Sequence, residues 1–278
     1  MKIKDYQDLT FTDDFMFCKV LSDNPDLAKK LAEIITDRKI KSIDFPKDQY
    51  VLRGSYEGKG VCFDVYFADD TNTKYDLEMQ TTRQSNLPRR SRYYQSLIDQ
   101  STLEHGADYS KLPNSYVIFI CVRDPFESGL AKYSFENICK ENGNPLNDGA
   151  YKIFINAKSP KADTPLLQEL VEYLKSGKVS GGISEEIDAA VSLAKRDRKG
   201  AQMFYTLEDK IRETSEEARM EGHMEGRMEG RIETTIKMGL RHNLTPEQIV
   251  QDLVEDCDLD PDVALKAIEE YQKQNNEQ

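Results

Sequence analysis

The stretch VCFDVYFADDTNTKYDLEMQ, from Val61 to Gln80, decides the predicted fold because it has the pattern of a β-hairpin. Apolar residues alternate with others on both sides of DDTNT, which is typical of strands, and DDTNT has the composition of a turn. Asp64 stands inside the first apolar run, however, and Glu78 and Gln80 interrupt the second. On two paired strands these three side chains can converge on one site. The apolar positions of the first strand are Val61, Phe63, Val65 and Phe67.

Helix and strand signals on either side of the hairpin predict a layered domain. Thr12 or Asp13 can cap a first helix, and a second can begin at Asn24, with Pro25 at its first position. Ser85 or Asn86 can cap a third helix. The continuous apolar run SYVIFICV, at 115–122, is typical of a buried central strand, and the segments KYSFENI and YKIFINA predict a second hairpin. This order of elements predicts an α/β or α+β sandwich.

Composition and charge restrict the class of protein. The 278 residues carry a formal net charge of −12, but residues 1–158 have 22 Lys+Arg and 24 Asp+Glu, a net −2, whereas residues 159–278 have 16 and 26, a net −10. The acidity is therefore concentrated in the C-terminal part. The five cysteines form no CxxC pair, and no apolar run reaches the ~18 residues of a membrane span. We expect a soluble, cytoplasmic protein with free thiols.

The C-terminal part has a helical pattern with a short repeat. In RMEGHMEGRMEGRIE, from Arg219, the glycines Gly222, Gly226 and Gly230 form one row and the methionines form another. Each helical glycine costs about 1 kcal/mol relative to alanine. The row therefore indicates either close packing against a partner, which predicts a homodimer, or a semi-flexible spacer. We expect a core at 1–158, a helical extension at 159–232 and a small helical tail at 233–278, in which Thr245 begins a capping box.

Asp64, Glu78 and Gln80 have the chemistry that phosphodiester hydrolysis requires. Two carboxylates can hold Mg²⁺, which lowers the pKa of a bound water and neutralises charge on the phosphate. A third polar group can position the attacking water. The sequence offers no competing constellation, because its three histidines are far apart and form neither an HxH nor an HExxH motif.

These residues and their flanking blocks resemble a known family. FDVYFADD and YDLEMQ, followed by LPRRSRYYQSL and SYVIFICV, are similar to the PD-(D/E)XK nuclease superfamily, and within it to the Rpn-type recombination-promoting nuclease and transposase family. The opening FTDDFMFCKVL and the later MEGRMEGR share the resemblance, which covers most of residues 10–232. It implies that Asp64 and Glu78 are the motif acids and that Gln80 occupies the motif's lysine position. Glutamine departs from the superfamily motif but resembles this branch.

The resemblance implies a fold and a function. The expected fold is a restriction-endonuclease-like mixed sheet flanked by helices and followed by an all-helical C-terminal extension. The expected function is a DNA endonuclease that uses Mg²⁺ or Mn²⁺, held by Asp64, Glu78 and the backbone carbonyl of Met79. The alternative is a catalytically inactive nuclease-fold remnant that binds DNA or protein.

Three further groups have a role that the sequence leaves open. The cluster Arg89, Arg90, Arg92 and Tyr93 is a candidate DNA contact, although such residues also pack on helix surfaces. Asp76 shares a strand face with Glu78, where we expect a carboxylate at the rim of the site. Glu33 either leans into the site or stays exposed on its helix.

Overall fold

The computed structural model describes residues 4–46, 51–52, 61–62, 64–103 and 105–276. Its helices are α1 (Asp14–Asp23), α2 (Pro25–Thr36), α3 (Leu87–Thr102), α4 (Pro165–Ser176), α5 (Gly182–Arg196), α6 (Arg198–Arg241), α7 (Pro246–Cys257) and α8 (Pro261–Asn276). Its strands are β1 (Ile43–Asp44), β2 (Val51–Leu52), β3 (Val61–Cys62), β4 (Val65–Asp69), β5 (Lys74–Gln80), β6 (Ser115–Cys121), β7 (Lys132–Phe135) and β8 (Ala150–Asn156).

Six of these strands form one mixed sheet in the order β1-β4-β5-β6-β8-β7, and β2 pairs with β3 separately. The pair β4–β5 is antiparallel, whereas β5, β6 and β8 are parallel to one another. The carboxyl ends of these three parallel strands therefore lie side by side at one end of the sheet. In open sheets of this kind, ligands bind beside the carboxyl ends of the strands.

Helices cover the two faces of the sheet unequally. On one face, Tyr75, Leu77 and Met79 of β5 belong to a large apolar core with buried residues of α1, α2, α4 and α5. On the other face, α3 contributes Leu87 and Tyr94 to a smaller core with Phe119 of β6. Because side chains alternate along a strand, the polar residues of β5 face α3.

The predicted elements are confirmed in most particulars. Helix α2 begins at Pro25 after Asn24, α3 follows Asn86, and every residue of β6 is buried. The predicted turn at 69–73 is held by Asp69, whose Oδ1 accepts hydrogen bonds from the backbone of Thr71 and Thr73. Strands β7 and β8 form the second hairpin. Phe63, which the alternating pattern includes, lies outside the described residues.

The chain divides at a different point from the boundary expected at residue 158. The first compact unit extends to Tyr205, and the second runs from Thr206 to Gln278. Leu170 of α4 and Ile187 of α5 are fully buried in the core of the first unit. These two helices pack against α1 and α2, so their amphipathic stripes belong to the core of the first unit.

The second unit has a small core of its own. Ile236 of α6 packs with Ile249, Leu253 and Ala264 of the last two helices. Thr245 and Gln248 form the predicted capping box. No helix within the described ranges combines the length and the apolar character needed to span a bilayer.

Candidate active site

Reciprocal hydrogen bonds hold Asp64 and Glu78 next to each other. Asp64 immediately precedes β4, and the β4–β5 register places it opposite Glu78. The Met79 N–H donates to Asp64 Oδ2 at 2.9 Å, and the Asp64 N–H donates to Glu78 Oε1 at 3.1 Å. Each carboxylate is thus fixed by the backbone of the other strand. The structure brings together the two acids that the hairpin pattern predicts to converge.

Gln80 lies on the same face of β5 as Glu78 and is the last residue of the strand. Its Nε2 donates to the backbone oxygen of Thr82 at 2.7 Å and to Thr82 Oγ1 at 3.1 Å. Its Oε1 accepts a hydrogen bond from Arg90 at 2.9 Å. Both ends of the amide are therefore held, so its orientation is defined at the carboxyl end of β5.

Arg90 connects the site to α3. Its guanidinium contacts Glu78 Oε2 at 3.5 Å and donates to the hydroxyl of Tyr94 at 2.8 Å. It also lies over the rings of Tyr94 and Phe119, 5.3 Å from each centroid. The sequence groups Arg90 with Arg89 and Arg92 as candidate DNA contacts, but the structure turns Arg90 inward. Arg89 and Arg92 are exposed, and Tyr93 is half-buried.

Asp76 is not at the rim of the site, where we expected it. Its side chain is fully buried, and neither carboxyl oxygen has a hydrogen-bond partner among the described residues. Burial, followed by the charges of Glu78 and Asp64, raises the pKa of Asp76 well above its usual value. A buried carboxyl without partners is stable only in its neutral form or beside a cation.

The pKa values of the two paired acids are raised as well. Burial, reinforced by the charge of Asp64, raises the pKa of Glu78 to about 8. Burial is also the main reason that the pKa of Asp64 rises to about 6, while the Met79 N–H acts in the opposite direction. The guanidinium of Arg90 contacts only Glu78 among these three acids, so negative charge stays uncompensated when all three ionise.

Helix α1 contributes two groups that the sequence analysis did not assign. The carboxylate of Asp14 raises the pKa of Asp64, and the Cys18 thiol donates a hydrogen bond to Asp64. The only signal for them was their position in the FTDDFMFCKVL block. Glu33 does not reach the site: its Oε1 accepts a hydrogen bond from the Ile40 N–H at 2.8 Å, just beyond the end of α2.

The donor set fits a hard divalent cation. Across the described part of the chain, no group of three or more His, Cys, Asp or Glu side chains is arranged to hold a metal ion. Asp64 and Glu78 supply two carboxylates, and Asp76 adds a third, fully buried carboxyl on the same strand as Glu78. The Gln80 carbonyl bonds to Val122 on the β6 side, so alternation along β5 directs the Met79 carbonyl toward Asp64. Oxygen donors of this kind suit Mg²⁺ or Mn²⁺.

Comparison with known proteins agrees with this geometry. The sequence profile of the PD-(D/E)XK nuclease family transposases matches residues 11–170, more than half of the chain. The match includes α1, the β4–β5 hairpin, α3 and the parallel strands. No curated protein and no solved structure matches the chain significantly. The mixed sheet with flanking helices is consistent with the fold of this family. The chain belongs to the PD-(D/E)XK nuclease family transposases.

Proposed function

We propose that the protein is a metal-dependent DNA endonuclease that hydrolyses phosphodiester bonds at Asp64 and Glu78. The observation that carries this proposal is the pair of carboxylates held by backbone hydrogen bonds near the carboxyl end of β5, of which Glu78 is buried and Asp64 is partly buried. Holding two anions side by side, away from water, destabilises the fold unless a cation offsets their charge. The family suggests a nuclease-like function, and a link to recombination, mobile elements or defence is part of the proposal.

Each residue of the site has a role that follows from its contacts. Asp64, Glu78 and the Met79 carbonyl would hold Mg²⁺ or Mn²⁺. When bound, such an ion lowers the pKa of water and neutralises charge on the phosphate. Gln80 presents an amide of fixed orientation that can position the attacking water. Arg90 supplies the positive charge that the motif's lysine would provide, because its guanidinium contacts both Glu78 and Gln80.

This role of Arg90 can be tested by removing its positive charge and placing a positive charge at position 80 instead. Arg90→Gln should reduce DNA cleavage by at least about tenfold, because it removes the one cation that contacts the site from α3. Gln80→Lys alone should have a milder effect, because it restores the usual motif residue. Gln80→Lys combined with Arg90→Gln should recover part of the lost rate in a nicking assay. If the double variant is less active than Arg90→Gln, a lysine at position 80 does not replace the function of Arg90.

The alternative is a catalytically inactive remnant that binds DNA or protein. Purified protein mixed with a labelled DNA duplex and Mg²⁺ distinguishes the two functions. The endonuclease shortens the duplex, and EDTA prevents the cleavage. A remnant that binds DNA would retard the duplex in a gel and leave its length unchanged.

The homodimer remains a prediction that the single chain does not support. Gly222, Gly226 and Gly230 are exposed, with no other atoms within 4 Å of where a Cβ would stand. At 3.6 residues per turn, the glycine row lies opposite the methionine row rather than beside it. Replacing the three glycines with alanine should raise helicity by circular dichroism and, if they pack against a partner, should weaken self-association in sedimentation velocity. Unchanged association would favour the spacer.

A further inference from the structure

A groove at the carboxyl ends of the parallel strands is not used by the site described above. It has a volume of about 630 Å³ and lies on the α1 and α4 side of the sheet. Thr81 and Val122, the first residues after β5 and β6, line it together with Lys158, which follows β8 closely. The groove therefore lies beside the carboxyl ends of the parallel strands, where ligands of open α/β folds bind.

The groove and the candidate active site lie at the same end of β5, and two pairs of adjacent residues connect them. Thr81 directly follows Gln80, whose amide ends the row of polar residues on β5. On the helix side, Asp13 lines the groove, and its neighbour Asp14 lies close enough to Asp64 to raise the pKa of that carboxyl. A nucleic acid bound at Asp64 and Glu78 would reach the groove by passing around the carboxyl end of β5, from the α3 side to the α1 and α4 side.

The charge of the groove is positive. Asp13 is the one acidic residue among its described lining residues, and Lys4 contacts Asp13 Oδ2 at 2.7 Å. Lys158 and Lys175 are exposed, and within the described residues neither forms an ion pair. Lys158 follows β8, whereas Lys175 lies in the last turn of α4. The groove therefore presents two ammonium groups that no carboxylate among the described residues neutralises.

We infer that this groove binds the sugar-phosphate backbone of DNA on one side of the scissile bond, with Lys158 and Lys175 contacting phosphates. The inference rests on the proposed function. Phosphate contacts by lysine provide most of the sequence-independent affinity of a DNA-binding protein, and they position the duplex. The hydroxyls of Thr10 and Thr12 also line the groove, but Thr10 donates to Asp13 Oδ2 at 2.8 Å and lies 3.1 Å from Thr12 Oγ1, so the two lysines are the phosphate-binding groups.

The test compares two pairs of lysines in full-length protein that carries Asp64→Asn, so that DNA is bound without being cut. The groove pair is Lys158→Glu with Lys175→Glu. The control pair is Lys111→Glu with Lys140→Glu, which makes the same change in net charge. Lys111 and Lys140 are exposed and precede β6 and β8, at the opposite end of the strands. Fluorescence anisotropy with a labelled duplex gives Kd over a range of salt concentrations, and melting curves confirm that all variants fold.

The groove pair should weaken DNA binding at least about tenfold and should reduce the salt dependence of log Kd by about two, whereas the control pair should change Kd by less than about threefold. Equal weakening by the two pairs, or no weakening by the groove pair, would overturn the inference. Cleavage by otherwise wild-type protein is measured separately. If the wild type binds DNA through the groove but does not cut it, the inference about the groove is supported and the proposed endonuclease function is wrong. If the wild type cuts DNA while the groove-pair variant binds DNA with an unchanged Kd, the proposed function is supported and the inference about the groove is wrong.

Discussion

Asp64→Asn should reduce DNA cleavage by at least about a thousandfold while leaving the fold intact. Asparagine keeps an oxygen that can accept the Met79 N–H bond, now 2.9 Å long, so the strand pairing around β4 should survive. The substitution removes the negative charge that a divalent cation requires, and the loss of a metal ligand commonly abolishes the chemistry that depends on the metal. Initial rates of plasmid nicking measure the effect.

Glu33→Gln is the matched control for this prediction. It also replaces a carboxylate with an amide, but Glu33 bonds to the Ile40 N–H beyond the end of α2, outside the site. Its cleavage rate should stay within about threefold of wild type, because surface and near-surface substitutions rarely disturb a distant site. If Asp64→Asn and Glu33→Gln both cut DNA like the wild type, the assignment of Asp64 is wrong.

The second large effect should be a stability that depends on pH in the absence of metal. The pKa values of Asp64 and Glu78 are raised to about 6 and about 8, so the folded protein retains protons that the unfolded chain releases near pH 4 to 4.5. Where the folded state binds more protons, the free energy of unfolding falls as pH rises. Between about pH 4.5 and 8, it should fall by up to about 1.4 kcal/mol per pH unit for each retained proton.

Divalent metal should reduce this pH dependence and raise the melting temperature at pH 8. A cation bound only to the folded state stabilises it by mass action and relieves the repulsion between the carboxylates. Asp64→Asn, which has fewer charges to compensate, should melt higher than wild type in EDTA at pH 8 and should gain less from Mn²⁺. Identical melting curves for the wild type in EDTA and in millimolar Mn²⁺ would indicate that the acids do not form a metal site.

Local periodicity was sufficient to predict that Asp64 and Glu78 lie side by side. The strand alternation on both sides of the 69–73 turn sets the register in which Asp64 faces Glu78. The face of Arg90 could also have been predicted, because Leu87, Arg90, Tyr94 and Leu97 share one stripe of α3, and the other three are buried. The basic cluster in the sequence directed attention to an exposed role instead.

Tertiary packing determines what the sequence did not reveal. Asp14 is about 50 residues before Asp64, and only the docking of α1 on the sheet brings the two carboxylates together. The amphipathic stripe of α5 indicates that Ile187 is buried but not which surface covers it. The boundary expected at residue 158 therefore falls before two helices that belong to the core. The burial of Asp76 likewise depends on the layer that α3 adds.

The central claim is that Asp64 and Glu78 form a metal-dependent DNA-cleaving site. The most direct test is the conversion of supercoiled plasmid to nicked or linear DNA by purified wild-type protein, in millimolar Mg²⁺ and in EDTA, with Asp64→Asn prepared in parallel. We predict conversion by the wild type in Mg²⁺ alone, and none in EDTA or with Asp64→Asn. Plasmid that stays supercoiled with wild-type protein in both Mg²⁺ and Mn²⁺, or that is cut equally by Asp64→Asn, would contradict the claim.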